Sequence, residues 1–179
     1  MRTADLDAVQ RIERASFSTP WPSYAYRQEI ENNRLAHYIV ARESDEVVGD
    51  DAIGDQVVGF AGMWMMVDQA HITTFAVDPA WHRHKIGTRL LLNLAHEARR
   101  RDARHLTLEV RVGNEPAQAM YRKFGFRPAG IRKNYYVETN EDALVMWADD
   151  VDSDEYAERL AKIEASIPGR TIVEEPRTW

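Results

Sequence analysis

A strand, a glycine-bearing turn, an amphipathic helix, a second strand and a second capped helix follow one another between His71 and Phe126. No other part of the chain constrains the fold as strongly. The first strand, His71 to Val77, is closed by Asp78 and Pro79, which cannot extend a ladder. In the turn Arg83-His84-Lys85-Ile86-Gly87-Thr88 the apolar rhythm changes, and Leu90, Leu91, Leu94, Ala95 and Ala98 then recur at helical spacing. A helix start exposes unpaired N–H groups and partial positive charge, so this turn suits a phosphate, with Arg83 and Lys85 beside it and Gly87 permitting close approach. Read alone, it is equally an ordinary solvated helix end.

After the helix ends near Arg101, residues 105–112 alternate: Leu106, Leu108, Val110 and Val112 on one face, Thr107, Glu109 and Arg111 on the other. Glu109 is thus mid-strand and opposite the apolar row, which also describes a solvent-facing residue of a half-covered sheet. Asn114 is a good N-cap, Pro116 fits a first turn, and Met120, Tyr121 and Phe124 follow before Gly125 stops the helix. By itself Tyr121 reads equally well as core.

The order of strand, Arg83-x-x-x-Gly87 turn, helix, Leu-Glu109-Val-Arg111, Asn114, Ala-x-x-Tyr121 and Phe124-Gly125-Phe126 resembles the GNAT superfamily of acyl-CoA-dependent N-acetyltransferases. Within it, the later Asn134-Tyr135-Tyr136 is similar to the RimI type, which acetylates the N-terminal amine of a ribosomal protein, and to archaeal N-terminal acetyltransferases. The resemblance spans residues 1–149. It implies an α/β (α+β) fold, a mixed and mostly antiparallel sheet with splayed central parallel strands flanked by helices. It departs at Lys85, which stands where the family turn carries its first glycine, a residue that adopts positive φ cheaply.

From the resemblance comes a set of expected roles. Acetyl-CoA is the cosubstrate, its pyrophosphate on the N–H groups of Arg83, His84, Lys85, Ile86, Gly87 and Thr88, its pantetheine beside Phe75, Ala76 and Val77, with Asn114 also on the cofactor side. Glu109 is the general base, acting through water, and Tyr121 the acid for the leaving thiolate. Phe17, Trp21, Tyr135 and Tyr136 line the peptide site, the tyrosines on a connecting loop facing the Phe17 to Trp21 segment. The acceptor is the N-terminal α-amine of a protein, a ribosomal protein among the candidate targets. Two alternatives remain at this level: a GNAT enzyme acting on a small amine or a lysine side chain, and a non-catalytic acyl-CoA-binding module, which would need neither Glu109 nor Tyr121.

The rest of the chain bounds these expectations. At 179 residues it suits one domain with a full core, and it holds no cysteine, which excludes disulfides, thiolate metal sites and a cysteine nucleophile. A net charge of −6 argues against nonspecific nucleic-acid binding and favours a basic substrate. The six histidines show no metal spacing. No apolar run approaches a membrane span and no signal-peptide pattern opens the chain, so a cytoplasmic protein without membrane attachment is expected, its oligomeric state open.

Taken in order, Asp5 to Ser16 reads as a helix with Leu6, Val9 and Ile12 on one face. Family members normally begin with a strand, of which only the end is expected here. Phe17 to Pro22 is extended by its prolines, and its aromatics serve either as a peptide-binding wall or as a staple between helices. Ser23 caps a second helix reaching Glu31. Tyr38–Arg42 and Val57–Val67 read as paired strands, joined by an acidic surface loop over Glu43–Gln56. Arg127–Arg132 and Ala143–Trp147 are the last two strands. Residues 150–179 form a C-terminal segment, an acidic linker followed by an amphipathic helix marked by Tyr156, Leu160, Ile163 and Ile167, which most simply packs back on the domain.

Overall fold

The computed structural model describes residues 1–43 and 56–174. The acidic loop expected between the first two strands, residues 44–55, lies outside the described residues. Six strands form one sheet in the order β1-β2-β3-β4-β6-β5. They are β1 (Ala36–Glu43), β2 (Gln56–Met66), β3 (Gln69–Val77), β4 (His105–Arg111), β5 (Arg127–Tyr136) and β6 (Glu141–Ala148). Only β3 and β4 run parallel; the other neighbours are antiparallel. The helix between them, α3 (Ile86–Arg100), makes the crossover that a parallel pair requires.

Helices cover both faces of the sheet. On one lie α3, α4 (Glu115–Lys123) and α5 (Asp154–Ala165), which bury Leu91, Leu94, Ala98, Phe124 and Leu160 against Leu106, Leu108 and Met146. On the other, α1 (Leu6–Ser16) and α2 (Ser23–Asn32) bury Leu6, Val9, Ile12 and Tyr26 against Tyr38, Phe60 and Ala76. The periodic apolar residues of α1 and α3 are buried, as their spacing predicts, together with Gln10 and Glu13 on α1 and Leu92 and Glu97 on α3. No strand precedes α1 among the described residues.

Two expectations need correction. Tyr135 and Tyr136 do not sit on a connecting loop; they end β5, which continues past Arg132. Pairing with β6 jumps from Arg132↔Ala143 to Tyr136↔Glu141, and Asn134 takes φ +51°, so a bulge carries the strand through a stretch whose polar residues read as loop. The acidic linker, read from the sequence as Asp149 to Glu155, is shorter than that: Asp154 and Glu155 are already in the first turn of α5, which Ser153 caps by accepting from the Tyr156 N–H. Val151, Tyr156, Leu160 and Ile167 share the core that α3 builds.

The feature that matters for chemistry is where β3 and β4 stop pairing. Their register runs from Gln69↔His105 to Ile72↔Leu108 and no further, although β3 continues to Val77 and β4 to Arg111. Across β2, Gly62 pairs with Thr74 and Met63 with Ile72, which leaves Thr73 as an extra residue in β3. Such a bulge bends its strand, and it falls at the residue where β3 leaves β4. Gly62 is required there, because a Cβ would lie 2.3 Å from the Tyr38 ring. The sheet therefore opens a wedge between its two central strands.

Candidate active site

On the α3 side of the wedge, the helix begins at Ile86 after Lys85, whose φ of +63° is left-handed; Arg83, at +70°, is left-handed too. The expectation that a side chain replaces glycine at a strained position therefore holds, at a cost of about 1–2 kcal/mol. Lys85 gives the helix no side-chain cap, and the first intrahelical bond runs from the Arg89 N–H to the Lys85 carbonyl (3.0 Å). The N–H groups of Ile86, Gly87 and Thr88 are consequently unpaired among the described residues and point out of the helix start. His82 and His84 fold the preceding turn: His82 Nε2 lies 3.1 Å from the Val77 carbonyl and His84 Nδ1 2.9 Å from the His82 carbonyl.

Gly87 faces the wedge wall. A Cβ there would meet Met120 Sδ at 3.3 Å, the Phe75 ring at 3.5 Å and Val77 at 3.7 Å. Phe75 in turn lies edge-on to Tyr121, centroids 6.2 Å apart, and Phe126 packs on the other side of Tyr121 at 5.8 Å. Phe75 and Val77 thus line the α3/α4 face of the wedge. Ala76, by strand alternation, turns its methyl into the α1/α2 core, so only its backbone borders the wedge. Asn114 caps α4 by accepting from the Ala117 N–H at 3.2 Å, which leaves its amide nitrogen without a partner among the described residues. The unpaired edge of β3, the free N–H groups of the helix start and the side-chain-free wall at Gly87 fit an extended chain ending in a pyrophosphate, as acetyl-CoA does.

Tyr121 is buried, 6% exposed, and its hydroxyl has no hydrogen-bond partner among the described residues. Burial raises its pKa above the ordinary phenol range, with Tyr136 adding to the effect, so the hydroxyl keeps its proton at neutral pH. Glu109 is on the opposite face of the sheet. Leu106, Leu108 and Val110 turn toward α3, so Thr107, Glu109 and Arg111 turn toward α1 and α2. The two side chains singled out for catalysis can meet only through the gap between β3 and β4.

Glu109 is 7% exposed and held at both oxygens: Oε2 is 3.2 Å from His71 Nε2, and Oε1 3.2 Å from an Arg132 terminal nitrogen. The His71 hydrogen bond, more than the Arg132 charge, holds the carboxyl below its usual range against the opposing effect of burial. His71 is itself fixed, its Nδ1 2.7 Å from Thr107 Oγ1, which also receives the Gln69 amide at 2.7 Å.

On this face the expected peptide-site residues come from two segments far apart in the chain. Trp21 donates its N–H to Glu13 (2.9 Å) and accepts from Gln10 (2.7 Å); its ring tilts over Tyr26 while staying 38% exposed. Phe17 borders the α1/α2 core. Opposite, Arg111 lies 4.0 Å above the Tyr136 ring and pairs with Glu138 (3.0 Å) and Glu141. Glu138 accepts from Ser18 at 3.3 Å, joining the Phe17 to Trp21 segment to the β5–β6 turn. Burial pushes Tyr136 up to about 12, with Arg111 opposing; Tyr135 is 45% exposed.

Sequence reasoning missed Glu13, His71 and Arg132. Glu13 is 2% exposed, accepts from Trp21 and from the Tyr26 hydroxyl (2.8 Å), and has its pKa raised by burial. Its position four residues after Val9 on the apolar stripe of α1 was the available signal. No local pattern marks His71 or Arg132. Among the described residues, no cluster of three or more histidine and carboxylate side chains is placed to hold a metal ion, and no helix is long and apolar enough to cross a membrane.

A sheet wedged open beside a basic helix start is the architecture of acyl-CoA-dependent acetyltransferases. Residues 6–126 match the family model described as Acetyltransferase (GNAT) family, and the chain belongs to that family. It is 40% identical over 147 residues to a Bacillus subtilis protein with the provisional name [ribosomal protein bS18]-alanine N-acetyltransferase, covering 82% of this chain and 91% of the relative. The Escherichia coli K12 [ribosomal protein bS18]-alanine N-acetyltransferase is 31% identical over 148 residues, covering 82% of this chain and 92% of the relative. The crystal structure of the ribosomal-protein-S18-alanine N-acetyltransferase from Escherichia coli superposes with a TM-score of 0.71 at 29% identity, covering 84% of this chain and 90% of that one. The protein is an N-acetyltransferase that draws its acetyl group from acetyl-CoA.

Proposed function

We propose that the protein acetylates the N-terminal α-amine of a protein by direct attack in a ternary complex, with a ribosomal protein of the bS18 kind as the leading candidate substrate. The observation that carries this reading is the wedge, which has a carboxylate on one face and a protonated phenol on the other. The relatives' substrate supports the choice of acceptor, as does a mouth walled by aromatic residues on two segments that Ser18 and Glu138 join. A cytoplasmic site of action goes with that substrate.

In this reading the N–H groups from Arg83 to Thr88 bind the pyrophosphate, with Arg83 and Lys85 adding charge. The free edge of β3 at Phe75, Ala76 and Val77 holds the pantetheine, and Asn114 contributes its spare amide. Phe17, Trp21, Tyr135 and Tyr136 hold the peptide so that its amine enters the wedge from the Glu109 face. Glu109 takes one proton from the α-ammonium through water, the freed nitrogen bonds to the acetyl carbon and the carbon–sulfur bond breaks. Tyr121 gives its proton to the sulfur, and the second proton lost by the nitrogen returns through solvent to the phenolate.

Magnitudes favour an α-amine acceptor. Its reference pKa is about 8, against about 10.4 for lysine, so freeing the lone pair at neutral pH costs roughly 3 kcal/mol less. A carboxylate held below its usual range is a weak base, adequate for the first task and poorly suited to the second.

Thiol release with a peptide panel tests the reading. Peptides starting with Ala or Ser are expected to turn over well above polyamines and internal lysines; the reverse order would make this a small-amine or lysine enzyme. Glu109→Gln and Tyr121→Phe should each lower turnover by about 10²-fold or more while acetyl-CoA still binds. Wild-type turnover in either variant at saturating peptide removes that residue from the mechanism.

A further inference from the structure

The two oxygens of Glu109 are served by partners of different kinds. His71, on Oε2, stands on β3 within the paired part of the sheet and is fastened from behind by Thr107 and Gln69. Arg132, on Oε1, reaches over from the outermost strand, with β6 between it and β4. Its side chain is 57% exposed, and its one other charged or ring partner among the described residues is the Tyr135 ring at 5.7 Å, near the outer limit of a cation–π interaction. The neighbouring Lys133 is tied to Asp142 at 2.6 Å, and the strand bulges immediately beyond it. Arg132 is therefore the replaceable partner.

The Glu109 side chain is 7% exposed, so it loses stabilising charge when that cation leaves unless another takes its place. Other groups near it do not supply one. His71 on β3 is already engaged, and Arg111, two residues along β4, is committed to Glu138, Glu141 and the Tyr136 ring. Tyr135 and Tyr136 on β5 are neutral phenols, and Val145, the cross-strand neighbour of Glu109 on β6, is apolar. A peptide α-ammonium carries the same charge and three donors.

Building on the N-terminal amine reading above, we infer that Arg132 is an exchangeable counter-ion, leaving Glu109 Oε1 when a cationic peptide amine arrives and returning once the amine has become a neutral amide. The exchange has two consequences. The carboxylate stays ionised and hydrogen-bonded between turnovers. The acetylated product, which has no charge to offer Glu109, gains nothing from displacing Arg132 and is held only by its other contacts with Arg132 back in place. A half-exposed arginine keeps most of its hydration, so moving it costs little.

Calorimetric titration of CoA-saturated enzyme with two peptides, identical except that one is already N-acetylated, tests the exchange. In Arg132→Met the free-amine peptide should bind about threefold more tightly, the acetylated peptide should bind as to wild type, and Arg132→Lys should return the wild-type contrast. Retained CoA binding confirms that each variant is folded. If Arg132→Met weakens both peptides alike, or leaves both unchanged, Arg132 is a peptide contact or a bystander and the inference is overturned. If wild-type enzyme holds CoA but neither peptide, the N-terminal amine reading itself fails and takes the inference with it.

Discussion

His71 lies 36 positions before Thr107 in the chain, yet the parallel register sets the two side by side and brings His71 against Glu109. Because this contact is the largest influence lowering the Glu109 pKa, it also sets how acid the solution can become before the base is lost. The sign is direct. In the proposed mechanism Glu109 works as the carboxylate; a lowered pKa keeps it ionised further into acid, and removing the cause raises the pKa again. His71→Ala should therefore move the acid limb of the kcat/KM profile to higher pH, leaving the alkaline side and acetyl-CoA affinity in place. An unshifted acid limb would mean that His71 does not tune the base. The same linkage makes the Glu109 contribution to stability present above the ordinary carboxylate pKa and lost as pH falls through the lowered one.

The elements show why some of this was readable. The strict alternation of residues 105–111 put Glu109 opposite an apolar row, and the helical spacing after Gly87 located the start of α3; both follow from local backbone periodicity. Asn114 was legible as a cap because its own side chain makes the bond. The β5 tyrosines were misplaced because a bulge with Asn134 at positive φ keeps a polar stretch in the sheet. Lys85 makes the turn testable. Glycine at this left-handed position should stabilise the protein by about 0.5–1 kcal/mol, read as a rise in unfolding midpoint. Loss of the ammonium should weaken acetyl-CoA binding a few-fold at low salt and less at high salt. A Lys85→Gly protein that is less stable than wild type would show that the strain is relieved some other way.

At the scale of the whole molecule, residues 151–167 contribute to the core through Val151, Tyr156, Leu160 and Ile167. Leu160 is fully buried beside α3, and Arg89 in the first turns of α3 holds the Pro168 carbonyl and the Thr171 hydroxyl. Leu160→Ala should cost about 2–5 kcal/mol by chemical denaturation. A loss below 1 kcal/mol would mean that α5 contributes little to folding. Both faces of the sheet are thus covered by helices, and the wedge joins them: the nucleotide is expected to approach on the α3 face and the peptide on the α1/α2 face.

By itself the sequence determined the order of elements, the family they compose, and the places of Glu109 and Tyr121 on a strand and a helix, because helical and strand periods, caps and turns are properties of near neighbours in the chain. Only the tertiary structure decided that β3 and β4 part after Ile72 and Leu108, that Glu109 and Tyr121 stand on opposite faces of the sheet, and that His71 and Arg132 hold the carboxylate. Those facts depend on strand register and on a bulge, which bring together residues far apart in sequence and leave no local pattern along the chain.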